Sequence, residues 1–169
     1  MSNPRDEAAK DSDFYEGTLR VFEEERTRAA EGRVVIRDND VEWRQVRQGH
    51  VGYYLHDSFV TDSAVTGWRV FSQKIESMSG KHRHQGSTVI YVRRGHGRTV
   101  VNGKTFHWKA GDVVMLPILP GGVEHQHFRD DDSEPCEWVA LVYGPFHRAL
   151  GSMFGQVEAS PRWEERGER

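Results

Sequence analysis

The chain has 169 residues, a length that predicts one domain with short tails. Its 23 Lys and Arg residues nearly balance 26 Asp and Glu residues, for a formal net charge of −3 with histidine neutral, so no basic face for nucleic-acid binding is indicated. The longest apolar run, residues 113–119 interrupted by Pro117, is far shorter than the ~20 residues of a membrane span. No apolar signal-peptide region follows Met1, and the single cysteine excludes an intrachain disulfide. We therefore expect a cytoplasmic protein without nucleic-acid or membrane partners.

The N-terminal part of the chain is predicted to form an arm followed by one amphipathic helix. Residues 1–12 are polar and show no periodicity, as is typical of a mobile terminus. Over residues 12–30, Tyr15, Leu19 and Phe22 follow the i, i+4, i+7 spacing of one helix face. Such a helix would pack over a sheet or against a second subunit.

The remainder of the chain has the pattern of an all-β protein. Runs rich in β-branched and aromatic residues alternate with glycine, asparagine and aspartate, which indicates strands at 34–36, 51–55, 68–75, 88–92, 99–101, 105–108, 113–116, 125–128 and 138–143. The pair Asn102-Gly103 favours a tight hairpin. Many short strands and one helix predict a closed or two-sheet β-barrel, followed by a frayed tail. The predicted arm and helix, barrel, and tail occupy residues 1–31, 32–148 and 149–169.

Histidine is the residue type that most needs an explanation, because four of the nine histidines form two His-x-His pairs. His82 and His84 precede a predicted strand, and His125 and His127 stand further along the chain. Residues i and i+2 of an extended segment point to the same face, so each pair projects its imidazoles together. Imidazole binds iron, zinc, copper and nickel. One such pair is equally well explained by surface histidines, whereas two pairs in one barrel predict a metal site.

Two segments resemble the two motifs of the cupin family. Residues 80–97, which begin Gly-Lys-His-Arg-His and end Gly-His-Gly, are similar to the first cupin motif. Residues 111–125, which begin Gly-Asp-Val and end Glu-His, are similar to the second. The resemblance, which spans residues 67–144, implies an all-β cupin jelly-roll barrel with one N-terminal helix and a metal ion inside the barrel.

The resemblance also implies which histidines bind the metal. Most metal-binding cupins have a glutamate ligand where this chain has Thr88, so the implied ligands are three neutral imidazoles, from His82, His84 and His125. The second motif carries extra residues before its histidine pair. His127 is therefore an alternative third ligand, a catalytic acid or base beside the metal, or a strand histidine that is only hydrogen-bonded to a neighbour.

A three-histidine site is associated with particular chemistry. Without a carboxylate ligand an Fe(II) ion keeps its full charge and has open positions for an anionic substrate and O₂ side by side. The motifs are similar to those of gentisate and salicylate dioxygenases, which are usually longer two-barrel chains, whereas small cupins that cleave diketones or hydroxyaryl ketones are closer in length. This implies a non-haem Fe(II) dioxygenase that cleaves a C–C bond of a small aromatic or enolisable substrate. The alternatives are a lyase or isomerase that uses zinc, manganese or nickel, and a non-catalytic ligand-binding or regulatory cupin.

Three further residues are candidates for substrate binding. Arg69 and Gln73 alternate on the strand before the first motif, although the same spacing suits a solvated outer face. Trp108 would line a pocket for a flat ligand or pack inside the barrel. The amphipathic helix and the exposed early strands predict a homodimer. The remaining histidines are expected to be structural: His50, His56, His96, His107 and His147.

Overall fold

The chain forms an all-β structure, in a computed structural model that describes residues 13–152 and 154–167 without the side chain of residue 166. The described residues hold eleven strands: β1 (Trp43–Val46), β2 (Gly49–Leu55), β3 (Trp68–Ile75), β4 (Lys81–His84), β5 (Thr88–Arg94), β6 (His96–Val101), β7 (Lys104–Lys109), β8 (Val113–Leu116), β9 (Val123–Arg129), β10 (Cys136–Tyr143) and β11 (Gly155–Glu158). They form two antiparallel sheets, in the orders β1-β2-β3-β10-β5-β8 and β11-β4-β9-β6-β7. The predicted fold class is therefore confirmed.

The hydrophobic core lies between the two sheets. Strand β10 shows how the sequence builds it, because Cys136, Trp138, Ala140 and Val142 are buried and alternate with more exposed residues. The clustered core side chains come from both sheets: Ile75, Ile90, Val92, Val101, Trp108, Leu116, Val123, Cys136, Trp138 and Ala140. A tight hairpin joins β6 to β7 at Asn102 and Gly103, whose φ angles are 46° and 80°, so the predicted Asn-Gly turn is confirmed.

The N-terminal helix, α1, spans Phe14–Glu31, and the prediction of one helix before the barrel is confirmed. Asp13 caps it, since its carboxylate accepts a hydrogen bond from the backbone N–H of Tyr15 at 2.9 Å. Its apolar side is not covered: Phe14 and Tyr15 are about two-thirds exposed or more. No helix within the described residues has the length and apolar character to cross a membrane. The arm predicted for residues 1–12 lies outside the described residues.

Strand prediction failed where local pattern and tertiary pairing disagree. Residues 34–36 form no ladder, because no strand of the described part of the chain runs beside them. A bridge joins the preceding Arg33 to Ser63, and a 3₁₀ turn follows at Asp38–Asp40. Conversely, β4 has the sequence Lys-His-Arg-His, which lacks apolar alternation, yet it pairs with β9 on one side and β11 on the other. Backbone hydrogen bonds, rather than apolar residues, make β4 a strand.

The predicted frayed tail is wrong. Two short helices, α2 (Gly144–Ala149) and α3 (Pro161–Gly167), flank β11 in this part of the chain. Strand β11 is added to the edge of the second sheet, with Gln156 opposite His82. The polar composition of this segment does not predict a strand, because a short edge strand is stabilised by main-chain hydrogen bonds and needs little apolar surface.

Candidate metal centre

Three histidines converge at the junction of β4 and β9. His82 and His84 share one face of β4, and His125 lies directly opposite His82 on β9. The ring centroids are 4.1 Å apart for His82 and His125, 4.8 Å for His84 and His125, and 5.3 Å for His82 and His84. One ligand nitrogen from each ring lies within 4.8 Å of the other two. Within the described residues, this is the group of histidine, cysteine or carboxylate side chains that could hold a metal ion.

Each of these three rings is oriented by a backbone carbonyl. His82 Nδ1 lies 3.2 Å from the Gly80 oxygen, His125 Nδ1 lies 3.4 Å from the Val123 oxygen, and His84 Nδ1 contacts the Gln85 oxygen. A carbonyl oxygen only accepts hydrogen bonds, so each Nδ1 carries the proton and donates it. This leaves the Nε2 lone pair of each ring available to a metal, in the arrangement that metal-binding histidines commonly adopt.

The three rings are also held in the uncharged form that binds metals. Burial, followed by the neighbouring His84, lowers the pKa of His82 to about 4. Burial lowers the pKa of His84 and of His125 as well. A buried imidazolium is disfavoured because the apolar surroundings replace its hydration. The donor set therefore fits a divalent transition metal without requiring prior loss of protons at neutral pH.

Thr88 and His127 lie beside this group. Thr88 is buried, and its Oγ1 has no hydrogen-bond partner among the described residues. His127 is 1% exposed and follows His125 on the same face of β9, with 5.4 Å between their ring centroids. Its Nδ1 lies 2.8 Å from Thr99 Oγ1 rather than against a carbonyl. Burial lowers the pKa of His127 to about 3.

The histidines open into a cavity of about 530 Å³ that contains two of the predicted substrate-binding residues, Arg69 and Gln73. Arg69 is half-buried, and its Nη2 lies 3.5 Å from His147 Nδ1; within the described residues it forms no ion pair with a carboxylate. Gln73 is 2% exposed, and its Nε2 donates to the Gln48 carbonyl at 2.6 Å. Trp108 does not line this cavity, which corrects its assignment to the substrate pocket. Its ring belongs to the core, where Nε1 donates to Thr99.

Comparison with known proteins agrees with this geometry. Residues 70–142 match the family model described as a cupin domain. This part of the chain is a cupin domain. The prediction of the cupin family and fold is confirmed.

Two curated relatives of the cupin domain are dioxygenases by name. The chain is 35% identical over 80 residues to 5-aminosalicylate 1,2-dioxygenase of Comamonas sp., a match that covers 47% of this chain and 20% of that protein. It is 27% identical over 105 residues to acireductone dioxygenase of Emericella nidulans, with 56% of this chain and 58% of that protein covered. The chain thus spans a fifth of the first relative and under two thirds of the second.

A solved structure shares the fold of this chain. A Cupin 2 conserved barrel domain protein from Salinispora arenicola superposes with a TM-score of 0.52 at 20% sequence identity, and the match covers 70% of this chain and 93% of that one. This likeness shows that the two chains share a fold.

Three residues that line the cupin cavity were missed or misassigned from the sequence. His147, expected to be structural, projects from α2 and lies with its ring 5.8 Å from that of His84. His56, also expected to be structural, lines the same cavity. Phe154, in the segment predicted to be frayed, lies 5.2 Å from the ring of His82. No local pattern marks them, because the folding of the C-terminal segment over β4 brings Phe154 here, and the turn from β10 into α2 brings His147.

Proposed function

We propose that this chain is a non-haem Fe(II) dioxygenase that cleaves a C–C bond of a small aromatic or enolisable substrate with O₂. The observation that carries the proposal is a buried group of three neutral imidazoles, without a carboxylate in the group, that opens into a cavity. His82, His84 and His125 would hold the metal. Iron, when bound there, would supply the activation of O₂ that such chemistry needs. The names of the two curated relatives support the same reaction class.

The charge of the cavity supports an anionic substrate. Arg69 lines the cavity half-buried and without a carboxylate partner in the part of the chain that the structure describes. Partial burial of a cation that has no ion-pair partner costs free energy, and a carboxylate or enolate oxygen of the substrate would reduce that cost. We assign Arg69 to binding this oxygen, Gln73 to shaping the wall beside it, and His127 to proton transfer or hydrogen bonding at the reacting part of the substrate.

Metal analysis and oxygen uptake test the proposal together. The protein is purified with Fe(II), its metal content is measured, and an oxygen electrode follows O₂ consumption over hydroxybenzoates, catechols and β-diketones. We expect one iron per chain and O₂ uptake with at least one anionic substrate. Full iron loading without uptake on any compound would favour a ligand-binding cupin. A protein that retains zinc, manganese or nickel and turns over a compound without O₂ would favour a lyase or isomerase.

The role of Arg69 has its own test on the active substrate. Arg69→Met removes the charge but keeps an apolar stem, and we expect KM to rise about 10- to 100-fold, since hydrogen bonds to charged groups contribute about 1.5–3 kcal/mol. Arg94→Gln, on the exposed part of β5, is the matched control and should leave KM unchanged. An unchanged KM for Arg69→Met would remove Arg69 from the substrate site.

We also propose a homodimer and a cytoplasmic location, as the sequence predicts. The exposed aromatic residues at the start of α1, Phe14 and Tyr15, support the homodimer, because large apolar side chains left in water favour contact with another surface. Analytical ultracentrifugation of the wild-type protein should show a dimer, and a Phe14→Asp, Tyr15→Asp double variant should shift it to a monomer.

A further inference from the structure

His127 differs from the other three clustered histidines in what its Nδ1 atom meets. The Nδ1 atoms of His82, His84 and His125 face backbone carbonyls. That of His127 faces a hydroxyl, Thr99 Oγ1, at 2.8 Å. A hydroxyl can donate or accept a hydrogen bond. The other groups around Thr99 therefore decide which ring nitrogen of His127 carries the proton.

Trp108 and the burial of Thr99 together set the direction of this hydrogen bond. Its indole Nε1–H, which can only donate, lies 2.8 Å from Thr99 Oγ1 and occupies an acceptor position of the hydroxyl. Thr99 is 0% exposed, so its own O–H proton needs a protein acceptor. His127 Nδ1 is the acceptor that the described residues place against that hydroxyl. The chain of donors therefore runs from Trp108 through Thr99 to His127.

The ring of His127 consequently carries its proton on Nε2. An Nδ1 atom that accepts a hydrogen bond is unprotonated, and an imidazole with one proton then holds it on the other nitrogen. His127 lines the cavity while Thr99 holds its Nδ1 side, so Nε2–H is the polar group left to face the cavity. A nitrogen that bears a proton offers no lone pair to a metal ion.

We infer that Thr99 and Trp108 fix His127 as the Nε2–H tautomer, so that His127 donates a hydrogen bond to an oxygen atom of the bound substrate and is not a metal ligand. This assigns positioning roles to two core residues, and it selects His125 over His127 as the third ligand. The part that concerns substrate rests on the proposed function. The tautomer itself does not, since it follows from contacts among this chain's own residues.

Nitrogen NMR on protein labelled with ¹⁵N-histidine tests the tautomers directly. Long-range ¹H–¹⁵N spectra of the metal-free protein should show Nε2–H for His127 and Nδ1–H for His82, His84 and His125. Addition of Zn(II), which is diamagnetic, should shift the Nε2 signals of those three rings and leave His127 with its Nε2–H. A spectrum that shows Nδ1–H for His127, or a zinc-induced loss of its Nε2 proton, would overturn the inference. Neither result depends on whether the protein consumes O₂.

Variants of Thr99 separate positioning from packing. Thr99→Val removes the hydroxyl, and we expect His127 to become a mixture of tautomers or the Nδ1–H form. Thr99→Ser keeps the hydroxyl and should restore the Nε2–H tautomer. If Thr99→Val does not fold, Trp108→Phe keeps an aromatic ring but frees the acceptor position of Thr99, and the same mixture is expected. A variant that lacks the hydroxyl and yet keeps His127 fully in the Nε2–H form would contradict the role of Thr99.

Discussion

Two groups of histidines in this chain have opposite surroundings. The metal-centre group, His82, His84 and His125, is largely buried and meets backbone carbonyls. The acidic-loop group consists of His96 and His107 beside residues 130–134. His96 Nε2 lies 2.7 Å from Asp131, and both histidines are partly or largely exposed.

The metal-centre histidines and His96 also have opposite proton affinities. Burial lowers the pKa of the metal-centre histidines, whereas Glu134, followed by Asp131, raises the pKa of His96. A protonated imidazole that donates to carboxylates has no lone pair for a metal, while a neutral one against a carbonyl does. Carboxylates near histidine therefore do not by themselves make a metal site; the partner of each ring nitrogen decides its role.

The largest effect that we expect is on metal affinity, which should depend on the metal-centre group and not on the acidic-loop group. His82→Ala removes one of three ligands, and we expect affinity for Fe(II) or Zn(II) to fall by at least about 100-fold, because loss of outer partners alone costs about 10- to 100-fold. O₂ uptake should be lost with it. His107→Ala is the control from the acidic-loop group and should bind metal like the wild type. Isothermal titration calorimetry measures both, and stoichiometric metal in His82→Ala would mean that the ligands are assigned wrongly.

Acid should affect the metal-centre histidines and His96 in opposite directions. The folded-state pKa of His82, about 4, lies below its ordinary value of 6.5. The unfolded chain therefore binds more protons between these values. The unfolding free energy of the metal-free protein should fall as pH drops from about 6.5 to 4, by about 1.4 kcal/mol per pH unit for each such histidine.

Urea unfolding at several pH values measures this slope, and NMR titration follows the individual rings. His96 should remain protonated above pH 6.5, since its pKa is raised, so any contribution it makes to stability is present below its unfolded pKa and fades as pH rises. A flat stability profile between pH 6.5 and 4 would show that the buried rings do not resist protonation.

A smaller effect is expected from the aromatic cover of the metal centre. Phe154 lies 5.2 Å from the ring of His82 and 5.9 Å from that of His84. Ring contacts of this kind contribute about 0.5–1.5 kcal/mol, so Phe154→Ala should let a chelator remove the metal about two- to tenfold faster. Val157→Ala, a half-exposed position on β11, provides the comparison and should release metal at the wild-type rate. Equal rates for all three proteins would exclude Phe154 from protecting the site.

The smallest effect concerns the acidic-loop group alone. Glu134 is the main cause of the raised pKa of His96, so Glu134→Gln should lower that pKa toward its ordinary value. Metal affinity and O₂ uptake should not change, because this loop contributes no residue to the cavity. A change in metal affinity in Glu134→Gln would show that the two groups are coupled.

Several features could be predicted because their determinants are local. Runs of β-branched and aromatic residues located β3 and β8 with the observed bounds, and the φ preference of Asn102-Gly103 located the hairpin. The pairing of His82 with His84 and of His125 with His127 on shared faces follows from the two-residue repeat of an extended chain. These properties depend on a few consecutive residues, which is why they could be predicted from the sequence alone.

Other features depended on contacts between distant parts of the chain. The sequence made Trp108 a candidate pocket residue, but inside the core its indole N–H donates a hydrogen bond to Thr99. His147 has no motif around it, and α2 places it beside His84. The polar segment that contains Phe154 becomes ordered because β11 pairs with β4.

The sequence by itself determined the all-β class, the cupin motifs and the residue types of the metal centre. Only the tertiary structure decided which ring nitrogen of each clustered histidine carries the proton and which one has a lone pair available. That choice depends on the atom opposite Nδ1: the carbonyl oxygen of Gly80, two residues earlier in the chain, for His82, and a threonine hydroxyl on the neighbouring strand for His127. Side-chain spacing fixes the face on which a histidine lies, while its proton is set by hydrogen-bond partners that the fold brings together.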